Sequence, residues 1–135
     1  MNLGPGAECI RTFEGHTDWV YAVAPLGTDR IISGSGDELV KLWSAETGEC
    51  IRTFKGHTGR VAAVAPLGDD RIISGSVDTL VKLWSAETGK CIRTFEGHTS
   101  CVVAVAPLGD DQIISGSSRD VTTRGSPKSL YCRQF

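Results

Sequence analysis

Histidine, serine and aspartate recur in this chain at fixed spacing, and together they are the members of a nucleophilic triad. The first set is His16, Ser33 or Ser35, and Asp37, with Trp43 a few residues on. The second is His57, Ser74 or Ser76, Asp78 and Trp84, and a third begins at His98. A catalytic centre needs one set with an unshared base. Here each histidine is committed to the same Gly-His pair, and a hydrolytic site repeated in every unit of a chain is improbable. No catalytic residue is therefore expected. Cys9, Cys50, Cys91 and Cys132 also recur every 41 residues, with Cys101 additional. Close C-x-x-C pairs, the usual mark of zinc, are absent, and an odd count argues against a disulfide framework. The thiols read as one small apolar residue per repeat in a reducing compartment. Cys132-Arg133-Gln134-Phe135 lacks the aliphatic residues of a prenylation box. Glu87-Thr88-Gly89-Lys90 lacks the first glycine of a phosphate-binding loop. Asp69-Asp70 and Asp110-Asp111 follow glycine in turns, where exposed carboxylates are ordinary. No metal and no cofactor is expected.

Composition narrows the partners. The chain has 135 residues, 40% apolar and 22% charged, with a formal net charge of −2. No run of Lys or Arg forms the stripe that phosphate-backbone binding requires, so nucleic acid is not an expected partner. Apolar runs reach about half a dozen residues against the ~20 that span a bilayer, so no membrane partner is expected either. Met1 to Glu8 has neither a basic start nor an apolar stretch, which points to the cytoplasm or nucleus.

The elements that hold these residues come in repeats. Residues 9–49 and 50–90 agree at 33 of 41 positions, and a third copy runs from 91 to 117. Residues 1–8 form a short tail, and 118–135 diverge. Helical periodicity is missing. Within a copy, four short β-rich runs alternate with turn signals: Val20 to Ala24, stopped by Pro25-Leu26-Gly27-Thr28-Asp29; Ile31 to Ser35, stopped by Gly36-Asp37; Leu39 to Trp43, stopped by Ala45-Glu46-Thr47-Gly48; and Cys50 to Phe54, stopped by Gly56-His57. A single four-stranded sheet cannot bury both faces, so neighbouring copies must stack on it.

The Gly-His pair, the Ser-Gly-Ser-x-Asp turn and the Lys-Leu-Trp strand, at one period over residues 9–117, resemble WD repeats, the blades of β-propellers. Ser44 and Ser85 follow the tryptophans where the family name has Asp, a substitution the family tolerates. The resemblance implies an all-β fold, an open, partial WD-repeat propeller of about three four-stranded antiparallel blades with the third incomplete. It also implies a structural role for the recurrent set. In that role the Gly-His histidine bridges the turn aspartate and a strand serine, which reaches the tryptophan N–H. His16, Ser33, Ser35, Asp37, Trp43, His57, Ser74, Ser76, Asp78, Trp84 and His98 are the network residues on this reading.

Residues that change between near-identical copies carry the rest of the information. Four positions hold three different residues: Asp18, Gly59 and Ser100; Trp19, Arg60 and Cys101; Tyr21, Ala62 and Val103; Gly36, Val77 and Ser118. Close-packed interiors do not tolerate Trp, Arg and Cys interchangeably, so such positions face solvent or a partner. In WD propellers they fall on the top rim around the channel, where peptides and proteins dock. Asp18, Trp19, Tyr21, Gly36, Gly59, Arg60, Val77 and Cys101 are thus candidate partner-binding residues, with Trp, Tyr and Arg the types that anchor interfaces.

The pattern fails after Ser117. Arg119 stands where Asp78 predicts aspartate, with Asp120 one place late, and Gly125 stands where Trp84 predicts tryptophan. Closed propellers have about 4 to 8 blades, so three cannot close. Both end blades should expose apolar faces, and self-association through them is expected. The functional expectation is a protein-interaction scaffold without enzymatic activity. Its rival is a truncated or frame-shifted fragment of a longer WD-repeat protein with no independent function.

Overall fold

Alternating β-branched and small residues build each inner strand, and glycine turns it back. The computed structural model describes residues 8–117 and 130–134. The first sheet holds β1 (Val20–Leu26), β2 (Arg30–Ser35), β3 (Val40–Ser44) and β4 (Cys50–Phe54), antiparallel and in that order. The second repeats it with β5 (Val61–Leu67), β6 (Arg71–Ser76), β7 (Val81–Ser85) and β8 (Cys91–Phe95). The third consists of β9 (Val102–Leu108), β10 (Gln112–Ser117) and β11 (Leu130–Gln134). Every described element is a strand.

The inner strands run two residues further than the turn signals suggest. Pro25 pairs with Ile31 and Leu26 with Arg30, leaving Gly27, at φ 68°, to begin the turn. Proline is tolerated there because β1 lies at the edge of its sheet, where one side of the strand needs no ladder. The extension matters for packing, since Leu26 is fully buried.

Two cores lie between the sheets. The first joins Leu26, Ile32, Val40, Leu42 and Phe54 of the first sheet to Val61, Val64, Ile72 and Trp84 of the second. The second joins Leu67, Ile73, Val81 and Leu83 of the second sheet to Val102 and Ile113 of the third. Glycine lets the backbones approach: a Cβ on Gly34 would lie 2.6 Å from Val61 Cγ1, and one on Gly75 would lie 2.6 Å from Val102 Cγ1. Burying such aliphatic side chains stabilises by about 1.5–3 kcal/mol each, so the blade-to-blade seams hold the molecule together.

The divergent C-terminal segment supplies a strand that the repeat pattern does not forecast. β11 takes the place of the Lys-Leu-Trp strand, with Gly116 opposite Leu130 as Gly34 is opposite Val40. The 41-residue period counts from Val81 to Thr122, so this strand arrives eight residues late. By register, Leu130 stands for Val81, Cys132 for Leu83 and Arg133 for Trp84. The 41-residue spacing of Cys132 from Cys91 is therefore incidental. Cys91 opens an outer strand, whereas Cys132 lies in the strand before it.

Candidate functional site

In the first two blades the Ser-Gly-Ser strand ends in a turn held by one aspartate, and the turn fixes the histidine. Asp37 Oδ2 accepts from the backbone N–H of Thr17 (3.1 Å) and Oδ1 from that of Leu39 (3.0 Å). His16 Nδ1 lies 2.8 Å from Oδ2. An ionised carboxylate only accepts, so the imidazole proton belongs on Nδ1, and Nε2 accepts from the Ser33 hydroxyl at 2.6 Å. Ser33 Oγ in turn accepts the Trp43 indole N–H at 2.8 Å. The middle blade repeats the relay: Asp78 to His57 at 2.8 Å, His57 to Ser74 at 2.7 Å, and Trp84 to Ser74 at 2.8 Å. In the third blade His98 Nε2 lies 2.8 Å from Ser115 Oγ. Ser118, Arg119, Asp120 and Gly125, on which its continuation was expected to fail, lie outside the described residues.

The sequence leaves two serines open for the relay, and the structure gives them different tasks. Ser33 and Ser74 carry the relay. The Ser35 hydroxyl donates to Asp18 O at 3.2 Å and accepts from the Asp37 N–H, and Ser76 does the same with Gly59 O at 3.0 Å and Asp78 N–H. Ser33 and Ser35 share a strand face, so alternation could not separate them. What separates them is reach: Trp43 pairs with Ile31, which puts Ser33 diagonally across from the indole.

Electrostatics follow from this geometry. Burial alone would raise the carboxyl of Asp78, but the N–H groups of Thr58 and Leu80 and the His57 ring outweigh it and hold it below the usual aspartate value. Asp37 is likewise lowered against its burial, by His16 and the Thr17 and Leu39 amides. Burial lowers His57, only partly opposed by Asp78, and Lys82 pushes in the same direction as burial. The middle relay thus rests as neutral imidazole beside a charged aspartate. Its connectivity is that of a triad, but Ser74 is 0% exposed and its oxygen is occupied by an indole N–H. A carbonyl substrate has no approach to it. A satisfied network of this kind rigidifies the blade.

The variable positions lie on one edge, where the chain enters each inner strand. Trp19 is 75% exposed, and its ring sits 6.4 Å from that of Tyr21. The Arg60 guanidinium lies 5.1 Å from the Tyr21 ring centre, joining the first two blades. Within a blade the variable residues compensate one another in size. A Cβ on Gly36 would lie 2.8 Å from Asp18 Oδ2 and 3.2 Å from Tyr21 Cε2. In the next blade the bulk is reversed: Val77 is large, and a Cβ on Gly59 would lie 2.6 Å from it. Backbone bonds tie the same positions, from Gly36 N to Trp19 O (2.8 Å) and from Val77 N to Arg60 O (3.1 Å). Cys101 lies at the equivalent entry to β9 and is half-buried.

The repeated cysteines are not the apolar core residues that their type suggests. Cys9, Cys50 and Cys91 are exposed free thiols, and the Cys50 thiol donates to Arg52 O at 3.5 Å. Cys50 and Cys91 open the outer strands β4 and β8 at the edges of their sheets, which puts them in solvent. Among the described residues no group of three or more His, Cys, Asp or Glu could hold a metal ion, and no helix is long and apolar enough to cross a membrane.

Four-stranded antiparallel sheets stacked through their inner strands, each closed by an Asp-His-Ser-Trp relay, define blades of a β-propeller. The chain belongs to the WD domain, G-beta repeat family, whose model matches residues 7–44, 48–85 and 89–121. It is similar to the transcriptional repressor rco-1 of Neurospora crassa, 46% identical over 44 residues, which cover 32% of this chain and 7% of that protein. Repeats of this family generally serve as protein-interaction scaffolds.

Proposed function

We propose that the chain is a non-enzymatic interaction platform that docks a protein or peptide segment on the blade edge bearing Asp18, Trp19, Tyr21, Gly36, Gly59, Arg60, Val77 and Cys101. The observation that carries this reading is the cluster of Trp19, Tyr21 and Arg60. An indole left three-quarters in water beside a phenol, with a guanidinium over the phenol ring, offers a large, rigid, amphipathic contact. Side chains of these types commonly contribute about 2 kcal/mol or more each at an interface. The polar tips of Tyr21 and Arg60 favour a partner with hydrogen-bonding groups, such as a peptide backbone. Exposed free thiols suit a reducing compartment, hence the cytoplasm or nucleus.

A peptide library selected on the parent protein tests the reading. The triple variant Trp19→Ala, Tyr21→Ala, Arg60→Ala should keep its β-rich spectrum and melting temperature, because Ala62, Val103 and Cys101 occupy the matching places in other blades. It should bind the selected peptides at least about tenfold more weakly, the loss of a single good anchor. Undiminished binding would place the contact elsewhere, and collapse of the fold would make these residues core.

A further inference from the structure

Both halves of a blade-to-blade seam lie uncovered on this chain, one at each end of the arc. Val61 and Val102 are 0% exposed, while their counterpart Val20 is 50% exposed; Val64 is 9% exposed and its counterpart Val23 is 69%. In the middle blade these valines enter the space over Gly34, and in the third the space over Gly75. Among the described residues the first blade's valines have no such seat. In its place is an open cavity of about 340 Å³ lined by Phe13, His16, Val20, Val23, Ile31 and Trp43. Their equivalents Phe54, Val61, Val64, Ile72 and Trp84 form one core with Leu26, Ile32, Val40 and Leu42 of the preceding blade.

The other end carries that preceding-blade surface again. Leu108 is 45% exposed where Leu26 and Leu67 are buried. Ile114 stands for Ile32 and is only half-buried, and Gly116 stands for Gly34 with the same partial exposure. By register, Leu130 and Cys132 stand opposite Gly116 and Ile114 as Val40 and Leu42 stand opposite Gly34 and Ile32.

A third feature fits the same joint. Residues 9–13, Cys-Ile-Arg-Thr-Phe, repeat β4 and β8 letter for letter, yet they belong to no sheet among the described residues. They are nevertheless held as an outer strand would be held. Phe13 meets Trp43 edge-on at 5.8 Å and 69°, as Phe54 meets Trp84 at 5.6 Å and 61°. Arg11 lies against Gly48 as Arg52 lies against Gly89, each 3.0 Å from the position of a glycine Cβ. Meanwhile the third sheet has three described strands where the others have four, and β11 is its edge.

From these three matches we infer that a second copy of this chain docks head to tail, its Val20 and Val23 seated over Gly116 and its residues 9–13 added to β11 as the fourth strand. The seam is a continuation of the two already built into the chain. Two copies bring six blades together, within the range of about 4 to 8 that closes a propeller, whereas three copies would bring nine. A head-to-tail contact gives a ring when its rotation closes, so the product is a closed ring of two chains. Gln112 replaces the arginine that at Arg30 and Arg71 donates across each internal seam to Asp69 O and Asp110 O, so the joint between copies lacks that cationic latch. The inference does not depend on the rim reading, since it uses the seam faces and not Trp19 or Arg60.

Light scattering coupled to size exclusion tests it on the full chain. The parent should run at twice the 14.4 kDa chain mass. The variant Val20→Asp, Val23→Asp spoils the head, and Gly116→Lys spoils the tail. Each alone should fall to the single-chain mass with its β-rich spectrum retained. Mixing the two leaves one intact head and one intact tail, and the mixture should recover twice the chain mass. A parent of single-chain mass overturns the inference, as do masses that climb without limit, variants that keep the parent's mass, or a mixture that stays monomeric. Should Gly116→Lys misfold, Leu108→Lys, at an already exposed position, blocks the same face.

Discussion

The first and middle blades are nearly the same sequence in two different settings. Both contain the Asp-His-Ser-Trp relay, with matching distances within about 0.1 Å, and both bury their tryptophans. The relay is therefore a property of one repeat. The inner-strand valines differ: Val61 is sealed under the first blade, and Val20 stands half in water. Burial of that face is a property of the neighbour. Structure inside a blade is local, while both hydrophobic core clusters join residues of two neighbouring sheets.

The sharpest way to break the comparison is to put one charge into both settings. Val61→Asp places an unpaired carboxylate in a sealed seam and should cost about 3–5 kcal/mol of folding stability. Val20→Asp should stay within about 0.5 kcal/mol, at chain concentrations low enough to keep copies apart. Urea midpoints measure both. Equal losses would mean that the first blade is as enclosed as the second.

Removing the relay's anchor has a smaller effect. Asp78→Ala leaves His57 Nδ1–H and the amides of Thr58 and Leu80 without their acceptor, and should cost about 1–3 kcal/mol. An unchanged midpoint would contradict a structural role for the relay.

The smallest effect is the dependence on pH, and its sign follows from the shifts. His57 is lowered from 6.5, so below that pH the unfolded chain takes up a proton that the folded chain refuses. Stability should therefore fall as pH drops from about 6.5. Asp37 and Asp78 are lowered from 3.8, and their contribution, present above that value, is lost as pH falls below it. A His57→Gln variant, less stable throughout, should show a weaker decline in the upper stage. Denaturant midpoints across the acid range would show this, and a parent that gains stability on acidification would reverse the assignment.

Much of this was legible without coordinates. The repeat, its four strands and the residues of the relay are local signals, because alternation, glycine turns and a fixed period are properties of consecutive residues. The sequence also marked Trp19, Tyr21 and Arg60 as the residues that vary. Their mutual contact, and the size exchange between Gly36 with Tyr21 and Val77 with Gly59, needed neighbouring strands in place.

Sequence by itself determined the all-β repeat and the chemistry each repeat carries. Tertiary structure decided which serine joins the relay, since Ser33 and Ser35 share a face and differ only in distance to Trp43. It also decided that Leu130–Gln134 joins the third sheet. No period announces that strand, because the ladder on β10 constrains register and not the length of chain that precedes it. Above all, it decided which copies of one valine are core. Hydrophobic burial depends on what stands on the other side of the seam, and Val20 carries no record of that in its own neighbourhood of sequence.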